Sequence, residues 1–274
     1  MPTATPSPRV RPPAVAGSFY TANPRRLRAE VTGLIADAPA YAGGRTKALI
    51  APHAGYLYSG KVAATAFAAL RDIAETVTRV VVIGPAHYVA LRGIAVPTVE
   101  AFETPLGRVP VDRAALAVLA DLSCVLTADA PHAPEHALEV ELPFLQTLLG
   151  PFALVPLVVG AVDPQEVADV LGRLWGGQET LMVISSDLSH YHDYDTARRR
   201  DAATAAAIER GEWALLGADD ACGFRPVAGL LVEASRRGLA AQRLALCNSG
   251  DTAGGRDRVV GYGAWSFAQT PVAR

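Results

Sequence analysis

Three short apolar runs in this chain end in side chains that can hold a metal or move a proton. Ala48 to Ala51 is followed by Pro52 and His53, and Arg79 to Ile83 by Gly84, Pro85, Ala86 and His87. Leu181 to Ile184 is followed by Ser185, Ser186, Asp187, Leu188, Ser189 and His190. Histidine is scarce, with 6 in 274 residues, so its recurrence after separate runs points to one shared site more than to unrelated loop contacts. An imidazole is a common metal ligand and titrates near neutral pH. Cys222, in ACGFRP, precedes a helix whose first turn accommodates Pro226. A helix N-terminus lowers a thiol's pKa, and the thiolate is the form that binds metal or attacks; the plain alternative is a small buried cysteine. Cys247, which ends another apolar run, is its rival. The stretch PHAPEHALEVELPFLQ adds Glu135, His136 and Glu139. Read as a helix over 135–149, broken at Pro143, it puts His136 and Glu139 on one face. Glu135 and His136 then either orient the ligands or merely open a helical turn.

The elements that carry these residues alternate. Strands are expected at Ala48–Ala51, Arg79–Gly84, Gly93–Val96, Phe152–Val159, Leu181–Ser185, Arg243–Cys247 and Val259–Phe267. Helical periodicity falls at 24–36, 60–75, 112–121, 164–175, 195–210 and 226–238, with Leu27, Val31, Leu34 and Ile35 on one face of the first. Continuous apolar strands between amphipathic helices predict an α/β fold: a doubly wound, mostly parallel central sheet covered by helices on both faces. Ligands in such sheets bind beyond the carboxyl ends of the strands, which is where His53, His87, Asp187 and His190 fall.

No linker or repeat divides the chain, so residues 14–274 read as one domain behind a flexible lead-in, 1–13. Half the residues are apolar and the net charge is −2. No basic stripe marks a nucleic-acid partner, and no apolar run is long enough for a membrane span. The Pro-rich N-terminus lacks a signal core, and three cysteines suit a reducing cytoplasm.

Together, RPPAVAGSFY at 11–20, APHAGYLYSG at 51–60, GPAHY at 84–88, EHALEVELPFLQ at 135–146, SSDLSHY at 185–191 and ACGFRP at 221–226 resemble the Memo family, whose prokaryotic members are called AmmeMemoRadiSam system protein B. The resemblance runs from about residue 10 to 267. It implies an α/β/α fold similar to class III extradiol dioxygenases, which are non-haem iron enzymes. It also implies His53, His87 and Cys222 as metal ligands, with Asp187 and His190 lining the same pocket. Those dioxygenases use two histidines and one carboxylate, so either Cys222 or Asp187 completes the set. Fe(II) is the favoured ion, with copper or zinc as alternatives. On this reading Asp187 ligates or orients a water, His190 is general acid or base, and Tyr56 and Tyr88 contact substrate. The implied function is a redox, dioxygenase-like enzyme acting on a small molecule. A non-catalytic peptide- or metabolite-binding protein and a metal-dependent hydrolase are the alternatives. The family name implies a functional link to radical-SAM and AMMECR-type proteins.

Overall fold

A computed structural model describes residues 9–269; residues 1–8 of the expected lead-in, and 270–274, lie outside the described residues. The lead-in ends earlier than expected, because Val10–Arg11 (β1) already forms a strand. Helix α1 (Pro24–Asp37) follows, capped by the Asn23 side chain on Arg26 N. Next come β2 (Ala48–Ala51), α2 (Tyr56–Ala68), β3 (Arg79–Pro85) and β4 (Ile94–Val96). Strands β5 (Ala101–Thr104) and β6 (Gly107–Pro110) pair antiparallel, and β1 joins β5 to make a small separate sheet. The chain continues through α3 (Arg113–Ala117), β7 (Val125–Thr127), α4 (Leu142–Leu148), β8 (Ala153–Val159), α5 (Pro164–Leu174) and β9 (Thr180–Ser185). It closes with β10 (His190–His192), α6 (Tyr194–Arg210), α7 (Phe224–Arg236), β11 (Leu239–Asn248) and β12 (Val259–Gln269).

Nine strands form the large sheet, in the order β10-β12-β2-β9-β3-β8-β4-β7 with β11 also on β12. Its centre, β2-β9-β3-β8, is parallel throughout. These are the continuous apolar runs, and they are buried along nearly all their length, as strands covered on both faces must be. The flanks depart from the expected mostly parallel sheet. Strand β12 is antiparallel to β2, β10 and β11, and β4 is antiparallel to β8. Alternation of strand and helix marks the centre correctly. It carries no signal for β11 and β12, which follow one another with only a short 3₁₀ turn and loop between them.

Helices α1, α2 and α4 pack on one another and α5 packs on α7. Leu27, Val31 and Ile35 of α1 are buried, each contributing roughly 1.5–3 kcal/mol relative to exposure; Leu34 is only partly covered. Asp163 and Glu166 close a capping box at the start of α5. The expected helix over 135–149 is shorter. Residues 135–138 are irregular, a 3₁₀ turn covers Glu139–Glu141, and α4 begins at Leu142 with Pro143 in its first turn. Proline there does not kink a helix; it helps to start one. Among the described residues no helix is long and apolar enough to cross a membrane.

Candidate metal centre

Parallel pairing brings three strand ends to one edge. Ala51 lies opposite Ser185, and Ile83 opposite Ile184, so His53, His87 and Asp187 leave the sheet side by side. His53 is 1% exposed. Its backbone N–H donates to Asp187 Oδ1 at 2.9 Å, and its Nδ1 lies 2.7 Å from Ser185 Oγ. That hydroxyl also lies 2.7 Å from Ala137 O and 2.8 Å from Glu141 Oε1. A hydroxyl has one proton and two lone pairs. Glu141 is fully buried, and burial pushes its carboxyl well above the ordinary range, with the Asp187 charge adding to the effect against the Ser185 hydrogen bond. A neutral Glu141 donates to Ser185 Oγ, and Ser185 gives its own proton to Ala137 O, which can only accept. The remaining lone pair takes Nδ1–H of His53. Nε2 of His53 is thereby left as a bare nitrogen facing the site.

A carboxylate does the same for His87 and stands beside His136. Glu135, 1% exposed, accepts from His87 N at 2.7 Å, from His87 Nδ1–H at 2.9 Å and from Ala137 N at 2.9 Å. His136 Nδ1 is 3.3 Å from the same Oε1, with the Tyr88 hydroxyl 3.2 Å away on its other side. Burial works to raise the Glu135 pKa, but the His87 contacts and the backbone donors outweigh it and hold the carboxyl at about 2. It is therefore ionised and orients two imidazoles at once. The His87 and His136 rings stack at 4.7 Å, and His53 stands edge-on to both at 5.2 Å.

One nitrogen from each of His53, His87 and His136 lies within 4.8 Å of the others. Nitrogens sharing one first-row ion at bonds of ~2.1 Å are roughly 3–3.5 Å apart, so side-chain shifts of about an ångström close the set. Two of the three rings are held neutral, the form that ligates. Burial, reinforced by the His87 charge, depresses His53 to about 3. Burial and the His53 charge depress His136 to about 4. The donor chemistry fits a metal ion such as zinc, copper, iron or nickel.

The expected set, His53, His87 and Cys222, shares two residues with this group. Cys222 Sγ lies 3.3 Å from His53 Nε2, and Asp187 Oδ2 lies 4.0 Å from the same atom. Yet among the described residues no group of three that includes either one meets the spacing of the histidines. His136, expected to orient ligands, is the third member of the group. The thiol also departs from the helix-terminus argument. It does sit just before α7, but burial, and then the Asp187 charge, push it up to about 12. Gly223 brings this turn onto the sheet edge: a Cβ there would lie 2.7 Å from Ser186 Cβ and 2.8 Å from Ser185 O. Asp187 is 4% exposed, and burial raises its carboxyl, opposed by the His190 charge.

Tyr56 opens α2 and does not reach the histidines with its hydroxyl. It is 4% exposed, packs between Tyr20 and Phe144, and donates to Val140 O at 2.7 Å. Tyr88 is exposed at the rim beside His136. His190 is partly exposed on β10, without a hydrogen-bond partner among the described residues. Its neighbour Tyr191 has φ 63°, a left-handed conformation that costs a non-glycine residue energy.

Three further residues build the site. Ser185 and Glu141 set the His53 tautomer, as above. Glu139, 0% exposed, accepts from Ala14 N at 2.7 Å, Val15 N at 3.1 Å, the Tyr20 hydroxyl at 2.5 Å and the Arg11 guanidinium. It ties the N-terminal segment to the loop that follows His136, so that Phe19 packs edge-on against the His136 ring at 4.9 Å. Glu139 and Glu141 lie three and five positions after His136 in the sequence, but the partners of Glu139 lie over a hundred residues away.

A model of the family described as "Memo-like protein" matches residues 11–266. A MEMO1 family protein from Ignicoccus hospitalis is 35% identical, covering 94% of this chain and 98% of its own. Proteins of the same name from Thermotoga neapolitana and Sulfolobus acidocaldarius are 34% and 32% identical, each covering 92% of this chain and 98% and 97% of their own. With the fold and the three-histidine centre in place, these matches over nearly the whole length show that the chain belongs to the Memo family.

Proposed function

We propose that the chain is a metal-dependent enzyme in which His53, His87 and His136 hold non-haem iron or copper and a small organic molecule undergoes redox chemistry of the dioxygenase kind. The observation that supports the reading is the convergence of three imidazoles, one nitrogen of each within 4.8 Å of the others, with Nδ1 of His53 and of His87 engaged by Ser185 and Glu135. When bound, such an ion supplies open coordination positions and one-electron chemistry. Glu135 and Ser185 hold the rings in the ligating tautomer. Asp187, neutral or ionised within 4.0 Å of His53 Nε2, orients a bound water or ligand. His190 takes or gives a proton through its imidazole at the rim, and Tyr88 positions the ligand by its hydroxyl. Anaerobic loading with Fe(II), Cu and Zn, followed by metal analysis, tests the centre. His53→Ala, His87→Ala and His136→Ala each drop the bound metal below one per chain, whereas Cys222→Ser keeps it. Retention by all three histidine variants refutes the centre. Oxygen uptake by the iron form with catechols and other small phenols tests the redox step.

A second reading is favoured by the all-nitrogen donor set, because three histidines and a water also make a hydrolytic zinc centre. It predicts oxygen-independent turnover of the zinc form with ester or amide probes. Residence in the cytoplasm, a small-molecule or peptide ligand, and a functional link with radical-SAM and AMMECR-type proteins complete the proposal.

A further inference from the structure

A cavity of about 190 Å3 lies between the loop after β3, the loop after β8 and the turn into α7. Pro85, Ala86, Val159 and Gly160 form part of its wall, and Cys222 and Arg225 are its only ionisable lining residues. Cys222 stands between this space and the metal centre: it lines the cavity, its sulfur lies 3.3 Å from His53 Nε2, and the lining residue Ala86 precedes His87. Arg225 rests its guanidinium 4.4 Å over the Phe224 ring and pairs with no carboxylate among the described residues. Arg11, Arg79, Arg200, Arg236 and Arg237 are engaged with Glu139, Asp112, Asp220, Asp169 and Glu233, and Arg256 and Arg258, which also pair with no carboxylate among the described residues, stack on Tyr194 and Tyr191 and do not line this cavity.

We propose that this cavity seats a carboxylate of the ligand, held by Arg225, with the reactive part of the molecule extending past Cys222 toward the three histidines. The proposal rests on the centre being a reactive site. At ~30 Å3 for each water in the liquid, the cavity holds about six water-sized groups, enough for a carboxylate and a few carbons. A planar guanidinium matches a carboxylate in a two-point contact. One guanidinium also matches one negative charge. A phosphate dianion would leave its second charge unpaired against proline, alanine and valine walls, which is costly. The substrate class is therefore a small carboxylic acid.

The test uses the full-length, metal-free protein, so its outcome does not depend on whether the centre binds metal. Iodoacetate and iodoacetamide alkylate the same thiolate and differ in carrying a carboxylate or a neutral amide. Rates are read at each cysteine by peptide mass spectrometry. Arg225 raises the iodoacetate-to-iodoacetamide rate ratio at Cys222, and Arg225→Gln lowers that ratio roughly tenfold, the scale of one charge-assisted contact. Any effect of Arg225 on the thiol's ionisation touches both reagents equally and cancels. Cys124 and Cys247, also free and partly exposed, show no change in ratio. Arg225→Lys, which keeps the charge, retains part of the preference. With the unaltered chain, acetate slows alkylation of Cys222 by iodoacetamide and acetamide does not, a measurement that stands even if the variants fold poorly. An unchanged ratio in Arg225→Gln overturns the assignment to Arg225. Stronger protection by inorganic phosphate than by acetate overturns the carboxylate.

Discussion

Glu141 offers the sharpest physical test of how the centre is built, because its ionisation state fixes where the Ser185 proton goes. Its carboxyl is fully buried, with one oxygen on Ser185 Oγ and Oε2 lacking a protein partner. Burial raises its pKa well above the ordinary 4.5. An acid whose pKa is higher in the folded state stabilises the fold fully below pH 4.5 and loses that contribution as pH rises, because the unfolded chain releases the proton and the folded chain does not. The slope is about 1.4 kcal/mol per pH unit for as long as the unfolded chain alone has released the proton. Glu141→Gln keeps a donor on Ser185 and removes the titration. Its stability relative to the unaltered chain therefore rises as pH climbs above 4.5, at up to about 1.4 kcal/mol per unit, on top of a pH-independent offset from rearranged hydrogen bonds.

Urea denaturation of both proteins in chelator, at half-unit pH steps, measures the difference. The comparison must be a difference, because the histidines act in the opposite direction. His53 and His136, depressed to about 3 and about 4, give stability that is present above 6.5 and lost as pH falls. Both proteins share those contributions, and the subtraction removes them. A stability difference that stays flat from pH 4.5 to 7 shows Glu141 ionised in the fold and refutes the neutral donor.

Two more outcomes follow from the same geometry. Glu135→Gln removes the charge that accepts from His87 Nδ1–H and faces His136 Nδ1, so metal affinity falls about 10- to 100-fold with the fold retained; chelator competition reads it, and unchanged affinity refutes the orienting role. Because His53 and His136 stay neutral down to about 3 and about 4, protons compete with metal at these two rings only in that acid range. A histidine titration of the metal-free protein followed by NMR reads the two rings directly, and either one titrating near 6.5, the value of a free imidazole, refutes its being held neutral.

The central sheet and two of the three imidazoles were legible because they depend on short-range patterns. An apolar run that stops at Pro52 or at Gly84-Pro85 announces a strand end, and parallel pairing then sends His53 and His87 to the same edge. His136 follows no strand. Its loop is placed by Glu139, whose partners Arg11, Ala14, Val15 and Tyr20 lie near the other end of the chain, and no local pattern encodes that docking. Cys222 shows the same limit in electrostatics. The helix terminus behind it is a local feature and would lower its pKa, but the burial that raises it to about 12 is supplied by the residues packed over the turn. Tyr56 looked like a loop residue because the helical pattern reads most clearly from residue 60, yet α2 starts at Tyr56 and turns its ring inward.

The neutral thiol bears on what the centre can do. A cysteine that ligates must lose its proton, and at about 12 Cys222 holds that proton firmly while no cation is near. Its sulfur can donate to His53 Nε2 at 3.3 Å and accepts from Asp187 N at 3.3 Å. Nε2 of His53, the nitrogen proposed to bind an ion, is therefore within hydrogen-bond reach of the thiol. An arriving cation has to displace the S–H from Nε2, and a soft one can in return draw off the thiol proton and recruit the sulfur as well. A hard ion gains little from the thiol and stays with the three nitrogens. In the proposed centre the fourth donor would therefore depend on the metal supplied, and a share for the sulfur would show as a thiolate-to-metal absorption in the copper form that Cys222→Ser abolishes. A copper form whose spectrum is the same with and without that sulfur would confine binding to the imidazoles.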